Sequence, residues 1–246
     1  MTAVSPDESP SLAEEAEHRL RRWLGMEEMR QRLEKGRTPE MVSARIGPYL
    51  TISREEGAGA SEIAKRVGDS LGWEVLDREL LDFMAEHYHL PRNVLEFVDE
   101  TTANWLHEAF SNLIDRRVIS QQTYVKRLGH IVLLAAYHGK VVLVGRGAQF
   151  LLPPDRGLTV RILAPEKYRI EQIMQRHGMT SEVARKFIEE RERGRRDFVS
   201  RYFHQDHANP HLYDLVVNVA KYGPVATAEL IVAAVRCWLR DLDRST

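Results

Sequence analysis

The segment from residue 51 to residue 62 constrains the fold of this chain more than any other. A short apolar run at 49–52 leads into it, and the segment that follows places Ile63, Val67 and Leu71 on one face of a helix. Strand, glycine-rich turn and helix in this order form a unit in which backbone N–H groups and the positive end of the helix dipole point at a bound anion. The segment therefore predicts an α/β fold with a phosphate-binding turn; a plain tight turn before a helix is the alternative interpretation.

The same segment differs from the usual phosphate-binding loop, G-x-x-x-x-G-K-[ST], in its charge. Gly59 stands at the second glycine, but Ala60 replaces the lysine and Arg54 replaces the first glycine. Ser61 falls at the position whose hydroxyl can hold Mg²⁺. We predict that the loop binds phosphate through its backbone and that Arg54 is the nearest side chain to supply the missing positive charge. The predicted phosphate contacts are Gly57, Ala58, Gly59, Ala60, Ser61 and Glu62.

From residue 49 onward, apolar runs alternate with helical patterns, which is typical of a parallel sheet covered by helices. The helical stretch at about 78–139 is too long for one crossover helix and predicts a helical subdomain over the sheet edge. Before the sheet, the pattern at 11–35 predicts a charged amphipathic helix, and the polar residues 1–10 predict a disordered tail. The predicted strands are Tyr49–Ser53, Trp73–Leu76, Val141–Val144, Thr159–Leu163 and Leu215–Val219.

The composition of the chain argues against several classes of protein. A formal net charge of −1 and a pI near 6.8 give no electrostatic case for binding nucleic acid or a membrane surface. No apolar run approaches the ~18 residues that a membrane-spanning helix needs. Cys237 is the only cysteine, which excludes an intrachain disulfide and favours a reducing, cytoplasmic setting. Its apolar neighbours predict a buried thiol.

Polar residues follow three of the predicted strands. Asp77 and Arg78 come after the second strand, the sequence Gly-Arg-Gly at 145–147 comes after the third, and Asn218 lies in the last. Ligands of open α/β sheets bind beyond the carboxyl ends of the strands. We therefore expect the glycine loop, Asp77, Arg146 and Asn218 to meet in one crevice.

Taken together, these elements resemble the cytidylate kinase family, and more closely its divergent cytidylate kinase-like branch. The resemblance extends from residue 48 to residue 242. Its segments are the lysine-free loop Ile52–Ala64, Leu76–Leu81, the Gly-Arg motif Val144–Ala148, and Thr159–Leu215 with the arginines of Arg191–Arg196. It implies the fold of a P-loop nucleoside-monophosphate kinase, with a five-stranded parallel sheet flanked by helices. The implied divisions are a tail at 1–10, a helical extension at 11–47 and a kinase-like domain at 48–246, with an acceptor subdomain at 78–139 and a lid at 178–211.

The resemblance also implies a reaction, the transfer of the γ-phosphoryl group of ATP to the 5′-phosphate of CMP or dCMP in the presence of Mg²⁺. Such catalysis needs aligned phosphates, exclusion of water and positive charge, but no enzyme nucleophile. Arg146 would hold the acceptor phosphate, with Asp77 and Gly147 beside it. From the residues alone, Arg146 could instead be a structural ion-pair partner, and Asp77 could also cap a helix.

The arginine-rich segment would supply the lid. Arg191 and Arg196 align best with functional lid arginines and, with Arg54, are the predicted catalytic residues; a shift of one residue would select Arg193 or Arg195 instead. Guanidinium groups suit this role because they stay charged and grip phosphate in two places. A solvated helix face is the alternative interpretation of the segment.

Two departures from ordinary cytidylate kinases bear on activity: Ala60 replaces the lysine, and Glu62 places an anion near polyphosphate. Losing one preorganised donor typically costs ~2.7–4 kcal/mol of transition-state stabilisation. A second hypothesis is therefore a weakly active or inactive nucleotide-binding regulatory module, in which the N-terminal helix contacts a partner or a second copy.

A third hypothesis keeps kinase chemistry but changes the acceptor to a non-nucleotide metabolite, with the long helical stretch as its specificity element. The candidate polar groups in that stretch are Gln121, Gln122 and Tyr124. Residues 220–223 are candidates for recognition of the adenine of ATP.

One further polar cluster consists of His204, Asp206, His207 and His211. We interpret it as a polar loop rather than a metal site.

Overall fold

Strands and helices alternate in the computed structural model of the protein, which describes residues 11–33, 46–90 and 119–244. The strands are β1 (Tyr49–Arg54), β2 (Glu74–Leu76), β3 (Val141–Val144), β4 (Gly157–Leu163) and β5 (Leu215–Asn218). The helices within the described ranges are α1 (Leu12–Leu33), α2 (Ala60–Leu71), α3 (Arg78–His87), α4 (Ile119–His138), α5 (Glu166–His177), α6 (Ser181–Phe203) and α7 (Val219–Arg244). The five predicted strands are confirmed, with ends that agree to within two residues.

All strands of the sheet run parallel, in the order β2-β3-β1-β4-β5. Strand β1 is central, with Ile52 in register with Val144 of β3 and Val160 of β4. These three residues are at most 1% exposed, as expected of strands covered on both faces. The predicted fold class is therefore confirmed, and the carboxyl ends of all five strands meet along one edge.

Helices cover both faces of the sheet. Helices α2 and α7 bury Ile63, Val67 and Ile231 against one face. Helices α1, α3 and α4 bury side chains such as Leu81 and Leu134 in the cluster on the other face. This arrangement of three layers holds the carboxyl edge of the sheet rigidly and leaves it open for ligands.

Helix α1, which lies outside the family resemblance, packs on the domain. Leu20 and Trp23 are at most 4% exposed and belong to the core cluster with α3 and α4. Arg19 Nη1 donates a hydrogen bond of 2.6 Å to the carbonyl oxygen of Val75 in the edge strand β2. The inner face of the helix is therefore committed to covering this edge, and an interaction of its outer face with a partner stays a prediction.

Cys237 is exposed in α7, so the prediction of a buried thiol was wrong. The buried stripe of the helix contains Ala228, Ile231 and Val235, and Cys237 lies off this stripe. Apolar neighbours in sequence do not by themselves bury a helical residue, because the buried positions recur with the helical period. No helix within the described ranges is long and apolar enough to cross a membrane.

Candidate active site

The loop between β1 and α2 presents its backbone at the carboxyl edge of the sheet. Gly57 and Gly59 have φ angles of 84° and 73°, in the left-handed region that glycine adopts without strain. A Cβ on Gly57 would lie 2.7 Å from the carbonyl oxygen of Arg169, so only glycine fits there. Gly59 caps α2 without a side-chain hydrogen bond, which leaves the first N–H groups of the helix for an anion.

Two adjoining cavities open along this edge of the sheet. The loop cavity has a volume of about 200 Å³ and is lined by the loop, the start of α2 and parts of α5 and α6, including Gly57, Gly59, Ala60, Ser61, Arg176 and Phe187. The Gly-Arg cavity has a volume of about 240 Å³ and is lined by Ser53, Gly145, Arg146, Gly147, Phe198 and His207, among others. Arg54, Arg78 and Arg191 line both cavities and therefore mark their junction.

Arg54 projects from the end of β1 into this junction. Its guanidinium lies against Gly145, where a Cβ would overlap Nη1. No hydrogen bond or ion pair joins its side chain to another residue of the described ranges. Burial above all, together with the positive charge of Arg195, lowers the pKa of Arg54 to about 10. Arg54 was predicted to substitute for the absent lysine, and its side chain lies between the two cavities.

Arg146 lines the Gly-Arg cavity with its backbone in the left-handed region, at a φ of 53°. Its Nε donates to Asp82 Oδ1 at 2.5 Å, and Nη2 donates to Oδ2 of the same carboxylate. Tyr124 also donates to Asp82 Oδ1, at 2.6 Å, and the Phe198 ring lies 5.4 Å from the guanidinium. Although burial opposes it, the hydrogen bonds to Asp82 raise the pKa of Arg146. The arginine is thus held in place by an ion pair beside the cavity.

Helix α6 brings two of its arginines to the cavities. Arg191 stacks on Phe187, with its guanidinium carbon 5.1 Å from the ring centre, and Arg195 lies deeper, with 16% of its side chain exposed. Both residues line a cavity, whereas Arg193 and Arg196 are exposed and line neither. Arg191 and Arg195 are one helical turn apart and so share a face.

A cluster of ion pairs ties α6 to the loop. Arg195 bonds to Glu56 at 2.9 Å and to Glu192 at 2.7 Å, while the Glu56 amide donates to Glu192 Oε1 at 2.5 Å. His207 lies 3.9 Å from Glu192, and buried Arg161 donates to the His207 carbonyl oxygen at 2.6 Å. Burial alone would raise the pKa of Glu192, but His207, Arg195 and the Glu56 amide together lower it to about 2.

This low pKa predicts that the cluster loses stability in acid. The Glu192 carboxylate stabilises the fold fully above its ordinary pKa of 4.5, and its contribution is lost as the pH falls toward 2. The lowered pKa corresponds to an upper limit of about 3 kcal/mol. Glu192→Gln should therefore reduce the free energy of urea unfolding at pH 7, and the difference from the unmodified protein should shrink as the pH approaches 2. Exposed Glu189→Gln is the matched control, and a difference that stays constant with pH would contradict the prediction.

Several other predicted site residues lie outside the cavities. Glu62 pairs with Arg66 at 2.9 Å on the outer face of α2, which explains how the loop accommodates an anion at that position. Ala58 is fully buried beneath the loop. Asp77 caps α3 by accepting from the Leu80 amide at 2.9 Å, and burial raises the pKa of its carboxyl. Asn218 accepts from the amide of Ala220 at the start of α7.

Gly147 does line the Gly-Arg cavity, and a Cβ there would overlap the Phe203 ring. Residues 204–211 show no group of three or more metal-binding side chains, nor does any other part of the described ranges. The candidate specificity residues Gln121 and Gln122 have side chains outside the described part of the chain. Arg78 was not among the predicted site residues, although it is a polar residue directly after a strand. Arg195 was predicted only as an alternative to Arg196, and it shares a helical face with Arg191.

Comparison with known sequences gives a consistent result. Residues 49–221 match the model of the cytidylate kinase-like family. The cytidylate kinase of Pyrococcus horikoshii is 25% identical over 186 residues, which cover 76% of this chain and 87% of the relative. The cytidylate kinase of Halobacterium salinarum is 25% identical over 194 residues, which cover 79% of this chain and 92% of the relative.

Among solved structures, the fold is similar to that of an uncharacterized protein from Eubacterium ventriosum. The TM-score is 0.62 at 17% identity, and the match covers 77% of this chain and 98% of the other. This similarity concerns the fold alone.

Proposed function

The chain belongs to the cytidylate kinase-like family, and from this premise we propose that it transfers the γ-phosphoryl group of ATP to a pyrimidine nucleoside monophosphate, CMP or dCMP. The observation that carries the proposal is the pair of adjoining cavities with three arginines at their junction. One cavity has the backbone of an anion site at a helix N-terminus, and the other contains a fixed arginine. Two phosphorylated ligands held there would meet at the shared arginines.

In the proposed reaction, an oxygen of the acceptor's 5′-phosphate attacks the γ-phosphorus of ATP. A new P–O bond forms to the acceptor, the bond between the γ-phosphorus and the bridging oxygen breaks, and its electron pair stays on ADP. A phosphate monoester has a second pKa of about 6, so the acceptor is largely a dianion at neutral pH. The protein therefore needs no general base, and its contribution is alignment and positive charge.

The side chains divide this work between the two cavities. The N–H groups at the start of α2 would hold the β- and γ-phosphates, and Arg146 would hold the acceptor phosphate. Arg54 and Arg191 would face the transferring group from the junction. Arg195 takes the role that the family resemblance assigned to Arg196, because Arg195 lines the Gly-Arg cavity and Arg196 points to solvent.

The residues present fit a magnesium ion carried in with the nucleotide. Ser61 lines the loop cavity in the first turn of α2, and Glu79 lines the same cavity. Mg²⁺ bound with a nucleotide takes most of its ligands from phosphate and water and needs only one or two from the protein. We infer that Ser61, assisted by Glu79, would hold the magnesium ion, and that the ion would neutralise charge on the β- and γ-phosphates.

A regulatory nucleotide-binding module is the second candidate. The ion pairs of Arg195 with Glu56 and Glu192 favour it, because a lid arginine already held by carboxylates would have to exchange partners before it served catalysis. In that case nucleotide binding would change the position of α6 without turnover.

The test is a measurement of ADP release from MgATP, with the product mass checked, across all ribo- and deoxyribonucleoside monophosphates. We expect turnover with CMP or dCMP and formation of the corresponding diphosphate. Arg54→Met, purified in the same way, controls for contaminating kinases. ATP binding by calorimetry without turnover on any acceptor would favour the regulatory module, and no nucleotide binding by the folded protein would exclude both functions.

A further inference from the structure

Arg78 shares the junction of the cavities with Arg54 and Arg191 but reaches it from another element. It is the first residue of α3, directly after β2, whereas the other two come from β1 and α6. The junction is thus surrounded by guanidinium groups from three separate elements. Arg78 lies in the segment Leu76–Leu81 that resembles the family, but none of the roles assigned above uses it.

The position of Arg78 is unfavourable for the helix that it begins. The N-terminus of a helix carries a partial positive charge, so a cation in the first turn is repelled. Arg78 forms an ion pair with Glu79 at 3.2 Å. Because the Glu79 side chain is 57% exposed, this ion pair adds little to the stability of the helix. Helix stability therefore gives no reason for an arginine at this position.

The hydrogen bonding of the Arg78 guanidinium is also incomplete. Its Nε is buried and has no acceptor within the described ranges. A buried donor without an acceptor destabilises the protein, and a bound anion would remove this cost. Burial and the charge of Arg195 are the main causes that lower the pKa of Arg54, and the nearby charge of Arg78 lowers it further. A polyanion that binds between these positive groups would reduce the electrostatic repulsion between them.

We propose that Arg78 is a catalytic residue that contacts the phosphoryl group in flight between donor and acceptor. The inference rests on the proposed function. While the bond to ADP breaks and the bond to the acceptor forms, the moving group passes the junction, and a cation that faces both cavities stays beside it. Such a contact is strongest in the transition state, so it acts on kcat rather than on the binding of either substrate alone.

Steady-state kinetics of Arg78→Gln test this role. We expect kcat to fall by about 10²-fold or more, as for loss of a preorganised donor, with the KM values for ATP and CMP changed by less than about threefold. Arg78→Lys should recover part of kcat, since it restores charge without the planar fork. Exposed Arg193→Gln is the matched control. A kcat within threefold of the unmodified protein, or a loss confined to one KM, would overturn the inference.

A binding measurement keeps the inference testable if turnover is absent. The probe is adenosine and cytidine joined through their 5′ positions by five phosphates, which fills both cavities at once. By calorimetry, Arg78→Gln should weaken binding of this probe at least tenfold more than binding of ATP alone. Equal affinity of both proteins for the probe would overturn the role of Arg78 and leave the proposed function intact. No binding of the probe by the unmodified protein would overturn both.

Discussion

Arg54→Met is expected to lower kcat by about 10²–10³-fold while leaving the free energy of unfolding unchanged or higher. The first expectation follows from the typical loss of ~2.7–4 kcal/mol when one preorganised donor leaves a transition-state site. The second follows from its surroundings, because burial and the charges of Arg195 and Arg78 disfavour the charged form of Arg54 more than the charges of Glu56 and Glu79 favour it. Removing a charge that its surroundings disfavour on balance should not destabilise the folded protein.

The measurement combines kcat with urea unfolding of the same preparations. Arg196→Met is the matched control, because Arg196 is exposed and should change neither quantity by a significant amount. A large loss of stability in Arg54→Met would show that the arginine is structural. Unchanged turnover would show that another group replaces the lysine of the usual loop.

Gly145→Ala provides an independent approach to the same arginine. A Cβ at this position would overlap Arg54 Nη1, so the guanidinium would have to move away from the junction. Gly145 also has a φ of 79°, so the substitution adds backbone strain of about 1–2 kcal/mol. We expect the activity of this variant to resemble that of Arg54→Met, but its stability to be lower. Arg54→Met thus tests whether the positive charge is needed, and Gly145→Ala tests whether it must lie at the junction.

The inner strands could be predicted because strands buried on both faces are nearly continuous apolar runs, as at Val141–Val144. The location of the site followed from the rule that parallel strands present their carboxyl ends at one edge. Which arginines of α6 line the cavities could not be predicted from the alignment of the motif alone. Arg191 and Arg195 are four residues apart on one face of the helix and line a cavity, whereas Arg196 is exposed, so their roles stay a prediction.

The ion-pair and hydrogen-bond partners of the charged side chains in the candidate site could not be predicted from the sequence. Glu62 was expected to repel polyphosphate, yet it pairs with Arg66 one turn along α2. Asp82 showed no motif, yet it fixes Arg146, and it does so only because α3 packs beside the end of β3. Glu56 and Glu192 likewise meet across 136 positions of sequence. Such contacts depend on tertiary packing, for which a single sequence carries no local signal.

The largest effect on the acceptor is expected from Arg146→Met, which should lower kcat/KM for CMP by about 10²–10³-fold, since it removes a fixed, charged phosphate contact. The KM for ATP should change little, because Arg146 lines the Gly-Arg cavity and not the loop cavity. Steady-state kinetics with each substrate varied in turn give both values. An equal loss for both substrates would indicate a general disturbance of the fold.

The ion pair with Asp82 makes a second variant necessary. Arg146→Met leaves the Asp82 carboxylate, 22% exposed, without its cation, and this should reduce the free energy of unfolding by about 1–3 kcal/mol. Asp82→Asn keeps the arginine and its charge but loosens its orientation, so it should retain most of the affinity for CMP. The double variant Asp82→Asn with Arg146→Met should recover stability without recovering activity. If Asp82→Asn instead abolished activity as completely as Arg146→Met, the pair would be a structural unit, and the acceptor phosphate would have to bind to another cation of the cleft.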